Sequence, residues 1–351
     1  TDPYISGNGC TPAKAELVWQ DAMNLVTDIK YNADSNGGNI SFKVDRSSIR
    51  QGNAVIAIKD VSDAILWSWH VWVTDEDINN VIEITNHQNV KYNFMPVNLG
   101  QCDGNTITYE ERSCKVKFIA GDQSKEITIK QLANVIATGS NAPFYQWGRK
   151  DPLYPSNGMG NTTKIWYDKE GIPSTANPMK GTFSAGNDCI KNCILNPNLM
   201  HNRYNGDYTY YNLWSADNKT TSANDNPVNK TIYDPCPVGF KLPASNAFTG
   251  FTTTGESVSS STQVNGTWSS SEKGWYFYTN SEKTQSIFFP ALGYRSYSTM
   301  RPGSIGTQGC FWSAHPVAKG NNYYLRTSSV DVQPTYMVDR GFGYALRPCQ
   351  D

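Results

Sequence analysis

The chain has 351 residues with 30 basic against 31 acidic side chains, and a net charge of −1 leaves no basic field to draw it to nucleic acid or an anionic membrane. Charged residues are only 17% while aromatics reach 12%, with 20 Tyr and 10 Trp; a globular chain usually carries about 25% charged residues, so Asn, Ser, Thr, Gly and Tyr must supply the polar surface. Rigid amphipathic Tyr and Trp area of this kind is common in extracellular β-rich binding proteins, and the length suits two or three domains.

In chain order, 14–19 and 25–31 read as strands, because Trp19, Val26, Thr27 and Ile29 favour extended backbone in a stretch that otherwise looks helical. A turn at Asn36-Gly37-Gly38 leads to 40–44, where apolar and polar residues alternate as in a half-buried strand. Gly52-Asn53 turns the chain into 54–58, and a turn at 60–63 precedes the run Ile65-Leu66-Trp67-Ser68-Trp69-His70-Val71-Trp72-Val73. Short strands with turn signals at this spacing predict a β-sandwich domain over 1–85. Residues 86–351 form the second domain, with a β-hairpin insertion at about 101–135 in which 116–119 and 126–130 flank the turn Gly121-Asp122. From 137 to 230 Asn, Gly, Pro and Tyr predominate, which predicts long ordered surface loops. Strands return from Thr231, with hairpins around Trp268/Trp275 and Trp312/Tyr324. No apolar run of about 18 residues occurs, so no membrane-spanning helix is expected. No signal peptide is visible at Thr1, and an upstream leader or lipid anchor stays open.

The eight cysteines, Cys10, Cys102, Cys114, Cys189, Cys193, Cys236, Cys310 and Cys349, contain no CxxC pair, so zinc-ribbon and thioredoxin readings fail. The spacings of Cys189 with Cys193, and of Cys102 with Cys114 around Asp103-Gly104-Asn105, suit local disulfides.

The motifs with most character lie beyond residue 93. They are Phe94-Met95-Pro96-Val97-Asn98-Leu99-Gly100, Phe144-Tyr145-Gln146-Trp147-Gly148-Arg149-Lys150, Asp234-Pro235-Cys236-Pro237-Val238-Gly239 and, at the end, Leu346-Arg347-Pro348-Cys349. In this order they resemble the Fibrobacter succinogenes major paralogous domain. The run 54–73 is similar to the segment that precedes this domain in Bacteroidales surface proteins, several of them fimbrillin-like adhesins or pilus-tip subunits. The resemblance implies an exported cell-surface or outer-membrane location and a distal binding role. It also implies a C-type-lectin-like fold for the C-terminal domain. The expected fold class is therefore mainly β with an α+β part, an N-terminal β-sandwich followed by a loop-rich C-type-lectin-like domain. Pro235, Pro237 and Gly239 make a rigid turn around Cys236, and Cys236–Cys349 is the first choice of bridge. It would close a loop of more than a hundred residues, stabilising by about 4–5 kcal/mol in chain-entropy terms. Cys10 and Cys310 stay unassigned.

Signals for chemistry are sparse. Of the four histidines, His70 lies in the Trp-rich run and reads as packed, His87 and His201 sit among Asn and read as solvated, and His315 has no nucleophile elbow beside it. No zinc, P-loop or dinucleotide motif occurs. Gln333-Pro334-Thr335 lacks the carboxylate of a lectin calcium motif. The expectation is a non-enzyme with no metal and no cofactor. Sulfatase-modifying oxidases, with a distantly related formylglycine-generating fold and a cysteine pair, are the remaining enzyme reading, but Cys189, Cys193 and Cys310 carry no matching motif.

Expected partners are a glycan or protein ligand on a cell surface and other pilus subunits. A lectin-like module for polysaccharide capture is the alternative to the adhesin. The ligand surface is placed on the loops between Tyr145 and Trp214, with Trp147, Arg149, Trp166, Tyr208, Tyr210 and Trp214 as contact residues. For Trp147 and Arg149 the favoured reading is structural, a core ring and a guanidinium paired with an acid, with glycan stacking as the alternative.

Overall fold

The computed structural model describes residues 10–104, 106–137, 139–158, 160–181, 187–201, 212–217, 219–317 and 320–351, and over these the molecule is mainly β. Strands β1 (Lys14–Gln20), β2 (Thr27–Asn32), β3 (Asn39–Lys43), β4 (Gly52–Lys59) and β5 (Ile65–Val73) come first. The apolar run of β4 is buried almost throughout because both its faces are covered. Ala54 and Ile56 point into a small core with Leu25 and Val26, under Ile29 and Ile40 of the β2–β3 hairpin. Val55 points the other way, with Trp19 and Tyr154.

This sheet takes two strands from far along the chain. Its order is Pro173–Ser174, Trp166–Tyr167, β1, β4, β5, all antiparallel, with Gln20 opposite Tyr167. The junction is reinforced by a buried ion pair, Lys164 Nζ to Asp21 at 3.0 Å, and by Trp166 stacked on Tyr154 at 4.5 Å.

β6 (Ile82–Thr85) pairs with β7 (Lys91–Phe94), and β7 pairs with the strand Cys349–Gln350 so that Phe94 faces Cys349. Between β7 and the rest of the body an arm projects. Its inner ladder is β8 (Thr106–Tyr109) with β11 (Asn134–Ala137), and its outer ladder is β9 (Arg112–Ala120) with β10 (Gln123–Gln131).

The larger core lies among the C-terminal strands. Phe94, Phe248, Phe251, Phe277, Phe289 and Phe311 form an edge-to-face and stacked cluster, with Phe251 and Phe277 rings 3.9 Å apart. Trp268 pairs with Trp275 and Trp312 with Tyr324 across two hairpins.

The sequence motifs turn out to clamp one another. The Arg347 guanidinium, buried and with no carboxylate partner among the described residues, donates to Asn98 Oδ1 at 2.7 Å and to the carbonyls of Met95, Pro96 and Phe288. Its charge lies 4.2 Å from the centre of the Phe289 ring. Asp234 folds its own turn by accepting from Cys236 N and Leu242 N, at 2.8 and 3.1 Å.

The loop-rich reading of 137–230 missed an α-helix, α1 (Asn187–Leu195). Its Ile190 and Ile194 join the core that contains Trp147 and Trp214.

Candidate functional site

The β2–β3 hairpin covers only part of the sheet beneath it. Its turn is fixed by Asp34, whose carboxylate accepts from Asn36 N and Gly38 N at 2.7 and 2.9 Å. Gly38 has φ +87°, and a Cβ there would come within 2.5 Å of Asn32 O, so the close turn requires glycine. Tyr31 lies opposite Ile40, and the two-residue period of a strand puts Phe42 on the same face. These three side chains form one wall. The facing wall is β5, where the same period aligns Trp67, Trp69 and Val71, and the floor is Ile56 and Ile58 of β4. The groove between them has a volume of ≈ 880 Å³. Trp69 is 44% and Phe42 42% exposed, unusual for such large apolar groups.

Polar groups in the groove are few. Among the described residues no carboxylate lines it. His70, at its margin, is held by Asn53 Oδ1 at 2.9 Å and Tyr145 OH at 3.0 Å, and burial lowers its pKa to about 4. The groove is therefore uncharged at neutral pH.

β5 is also the terminal strand of its sheet. Beyond its outer edge a second hollow of ≈ 620 Å³ is bounded by Trp67, Ser68, Trp69 and His70 on one side and by 232–238 on the other. There Lys150 caps the Ser68 carbonyl at 3.0 Å, pairs with Asp151 at 2.7 Å, and lies 4.4 Å from the Trp67 ring centre. β5 is thus a terminal strand with a groove on one side and, beyond its edge, a slot partly filled by Lys150.

Of the residues chosen from sequence as ligand contacts, the four that are described lie elsewhere, and three of these are buried. Trp147 and Trp214 pack against each other at 5.3 Å, and their indole N–H groups donate to Ser313 O and Tyr233 O. Arg149 is buried and donates to carbonyls of the 196–199 turn, at 3.0 Å for Pro197. These three are corrected to structural residues. Trp147, Trp166 and Trp214 each have their indole N–H on a carbonyl, and Trp147 and Trp214 join a core shared with Met95, Trp312 and Tyr344. Trp166 is half-buried, with its N–H on Ala176 O at 3.0 Å. Tyr208 and Tyr210 lie outside the described residues. The groove itself was missed as a site. Its signal was the alternation of Trp67, Trp69 and Val71 against Ile40 and Phe42, which the sequence reading used only for strands.

The eight cysteines, all described, form no disulfide in the structure. Cys189 and Cys193 are brought together on α1. Cys236 and Cys349 are both buried, and burial pushes both thiols up, to about 12 for Cys349. Cys102 is at the root of the arm, bridged through its backbone to Asn141, while Cys114 is exposed on the outer ladder opposite Ile129. The four residue pairs of the inner ladder lie between them. At roughly 3.3 Å per residue, that separation exceeds the roughly 7 Å reach of a disulfide. His201, read as solvated, is instead buried beside Cys189 and Cys193.

No family model, curated protein or solved structure matches the chain.

Proposed function

We propose that the chain is an exported cell-surface adhesin of the fimbrial-tip kind, and that it holds an extended apolar segment of a partner protein in the groove beside β5. The uncharged aromatic groove next to a terminal strand carries this reading. An extended segment laid along β5 would place alternate side chains between Trp69 and Phe42, where desolvated rings act as hot spots. The low charge, the wealth of Tyr and Trp and the resemblance of its motifs to Bacteroidales surface proteins support the cell-surface placement.

A glycan ligand is the second reading, favoured by the exposed face of Trp69. Sugar hydroxyls, however, need polar partners when they are buried, and Asn39 and His70 are few for that purpose.

Display of random peptides against the parent and Trp69→Ala proteins separates the two. Peptides with alternating apolar residues should be enriched on the parent and bind about thirtyfold more weakly to Trp69→Ala, the equivalent of about 2 kcal/mol. Selective glycan-array binding without peptide enrichment, or peptides indifferent to Trp69, would move the ligand site elsewhere.

A further inference from the structure

Cys189 and Cys193 stand four residues apart on α1, the spacing that puts two side chains one above the other on a single helix face. That face is turned inward, leaving them 5% and 9% exposed. The chain then turns at 196–198 and enters the strand Leu199–His201, which carries the His201 ring back to the same place at 1% exposure. The two sulfurs and a ring nitrogen of His201 all lie within 4.8 Å of one another.

The third group is held from several sides. Gln146 grips the His201 backbone twice: its Oε1 accepts from His201 N at 3.0 Å, and its Nε2 donates to His201 O at 2.8 Å. Arg149 fixes the preceding turn through the carbonyls of Leu199 and Pro197. Alongside runs Met179–Gly181, parallel, with Gly181 opposite His201. A Cβ on Gly181 would come within 2.2 Å of the Leu199 side chain and 3.2 Å of His201 Nδ1, so glycine leaves the room that the ring occupies. Gln146 and Arg149, from the motif Gln146-Trp147-Gly148-Arg149, thus act as positioning residues for this cluster.

We propose that Cys189, Cys193 and His201 bind a single thiophilic d10 cation, copper(I) or zinc. Two thiolates and an imidazole are the donors that such ions select, whereas calcium and magnesium need oxygen, and among the described residues no carboxylate joins the cluster. These donors suffice for copper(I), whereas zinc needs a fourth ligand, such as water. In either case the cation takes the place of the thiol protons, which pass to solvent, so affinity rises with pH.

The test uses the full chain, reduced and stripped of metal, titrated with Zn²⁺ and, without oxygen, with Cu⁺ against a chromophoric chelator. One equivalent should bind, with a metal-dependent rise in Tm of the parent. Cys189→Ser/Cys193→Ser should weaken binding by at least about a hundredfold, more than the loss of a supporting partner costs. Cys10→Ser/Cys114→Ser, which removes the exposed thiols, should leave it unchanged. A preference for either ion names the occupant and upholds the site. If the double Ser variant fails to fold, the Tm shift of the parent decides. Retention of the equivalent by a folded double Ser variant, absence of any metal-dependent Tm shift, or a Cys189–Cys193 disulfide mapped in protein from its native compartment would overturn it. None of these outcomes touches the groove.

Discussion

His315 has none of its surface exposed, and its Nδ1 accepts the Ser245 N–H at 3.2 Å. A proton on Nδ1 would break that bond inside the core, and burial lowers the pKa from 6.5 to about 4. The unfolded chain therefore takes up a proton near pH 6.5 and the folded chain only near 4. Between those values the unfolded state binds more protons, so stability falls as pH drops, by about 3 kcal/mol from this residue once below pH 4. His70 acts with the same sign, and its half-buried ring, at the margin of the groove, makes its share smaller. Denaturant midpoints measured from pH 7 to 4 should fall, and His315→Asn, which keeps an acceptor for Ser245, should flatten that fall by about one proton. An unchanged slope in the variant would count against the assignment. Residues such as His315 and Trp147 show what sequence leaves illegible at this scale. Both are polar-tipped residues, and their burial depends on partners far along the chain: Ser245 for the one, Ser313 for the other.

Among the elements, the projecting arm is the one least tied to the rest. Its outer ladder alternates cleanly: Cys114, Val116, Phe118, Ile127 and Ile129 share one face, and Lys115, Lys117, Glu126 and Thr128 the other. The apolar face is uncovered, with Phe118 57% exposed. The outer ladder therefore contributes no buried residue to the core, and the root of the arm is closed independently by the Cys102–Asn141 backbone pair. Replacing 106–137 by an Asn-Gly turn should leave Tm within about 3 °C of the parent, the shift that less than 1 kcal/mol produces in a chain of this size. Thermal melts of the two proteins check this; a much larger loss would mean that the arm packs on the body in solution. Alternation made the outer ladder of this arm and β1 to β5 legible in the sequence to within a few residues, whereas the inner ladder read as a loop. It could not reveal α1, whose apolar face amounts to Cys189, Ile190, Cys193 and Ile194 in nine residues flanked by Asn and Gly. The Cys189–Cys193–His201 cluster was hidden with it, because its third member arrives by a strand rather than by a spaced motif.

At the scale of the whole molecule, the first 85 residues and the remainder share one sheet. β1 is paired on one side by β4 and on the other by Trp166–Tyr167, so a cut after residue 85 would bare its edge. It would also uncover Trp19 and Val55, which are fully buried against Tyr154, together with Trp67 and Trp72, which pack on the core that contains Trp147 and Trp312. Asp21 would lose Lys164 and become a carboxylate with no ion-pair partner at the sheet's end. What remains is the small cluster of Leu25, Val26, Ala54 and Ile56 under one hairpin, too little apolar area to offset the ordering of some 85 residues at roughly 1–2 kcal/mol each for the backbone alone. A fragment of residues 1–85 should therefore be unfolded in isolation, and the full chain without its arm should unfold in a single cooperative transition. Circular dichroism of the fragment and calorimetry of the chain test the two halves of this expectation. A folded fragment with dispersed amide resonances, or two separated heat-absorption peaks in the chain, would show that the shared sheet is an accessory contact between independent domains.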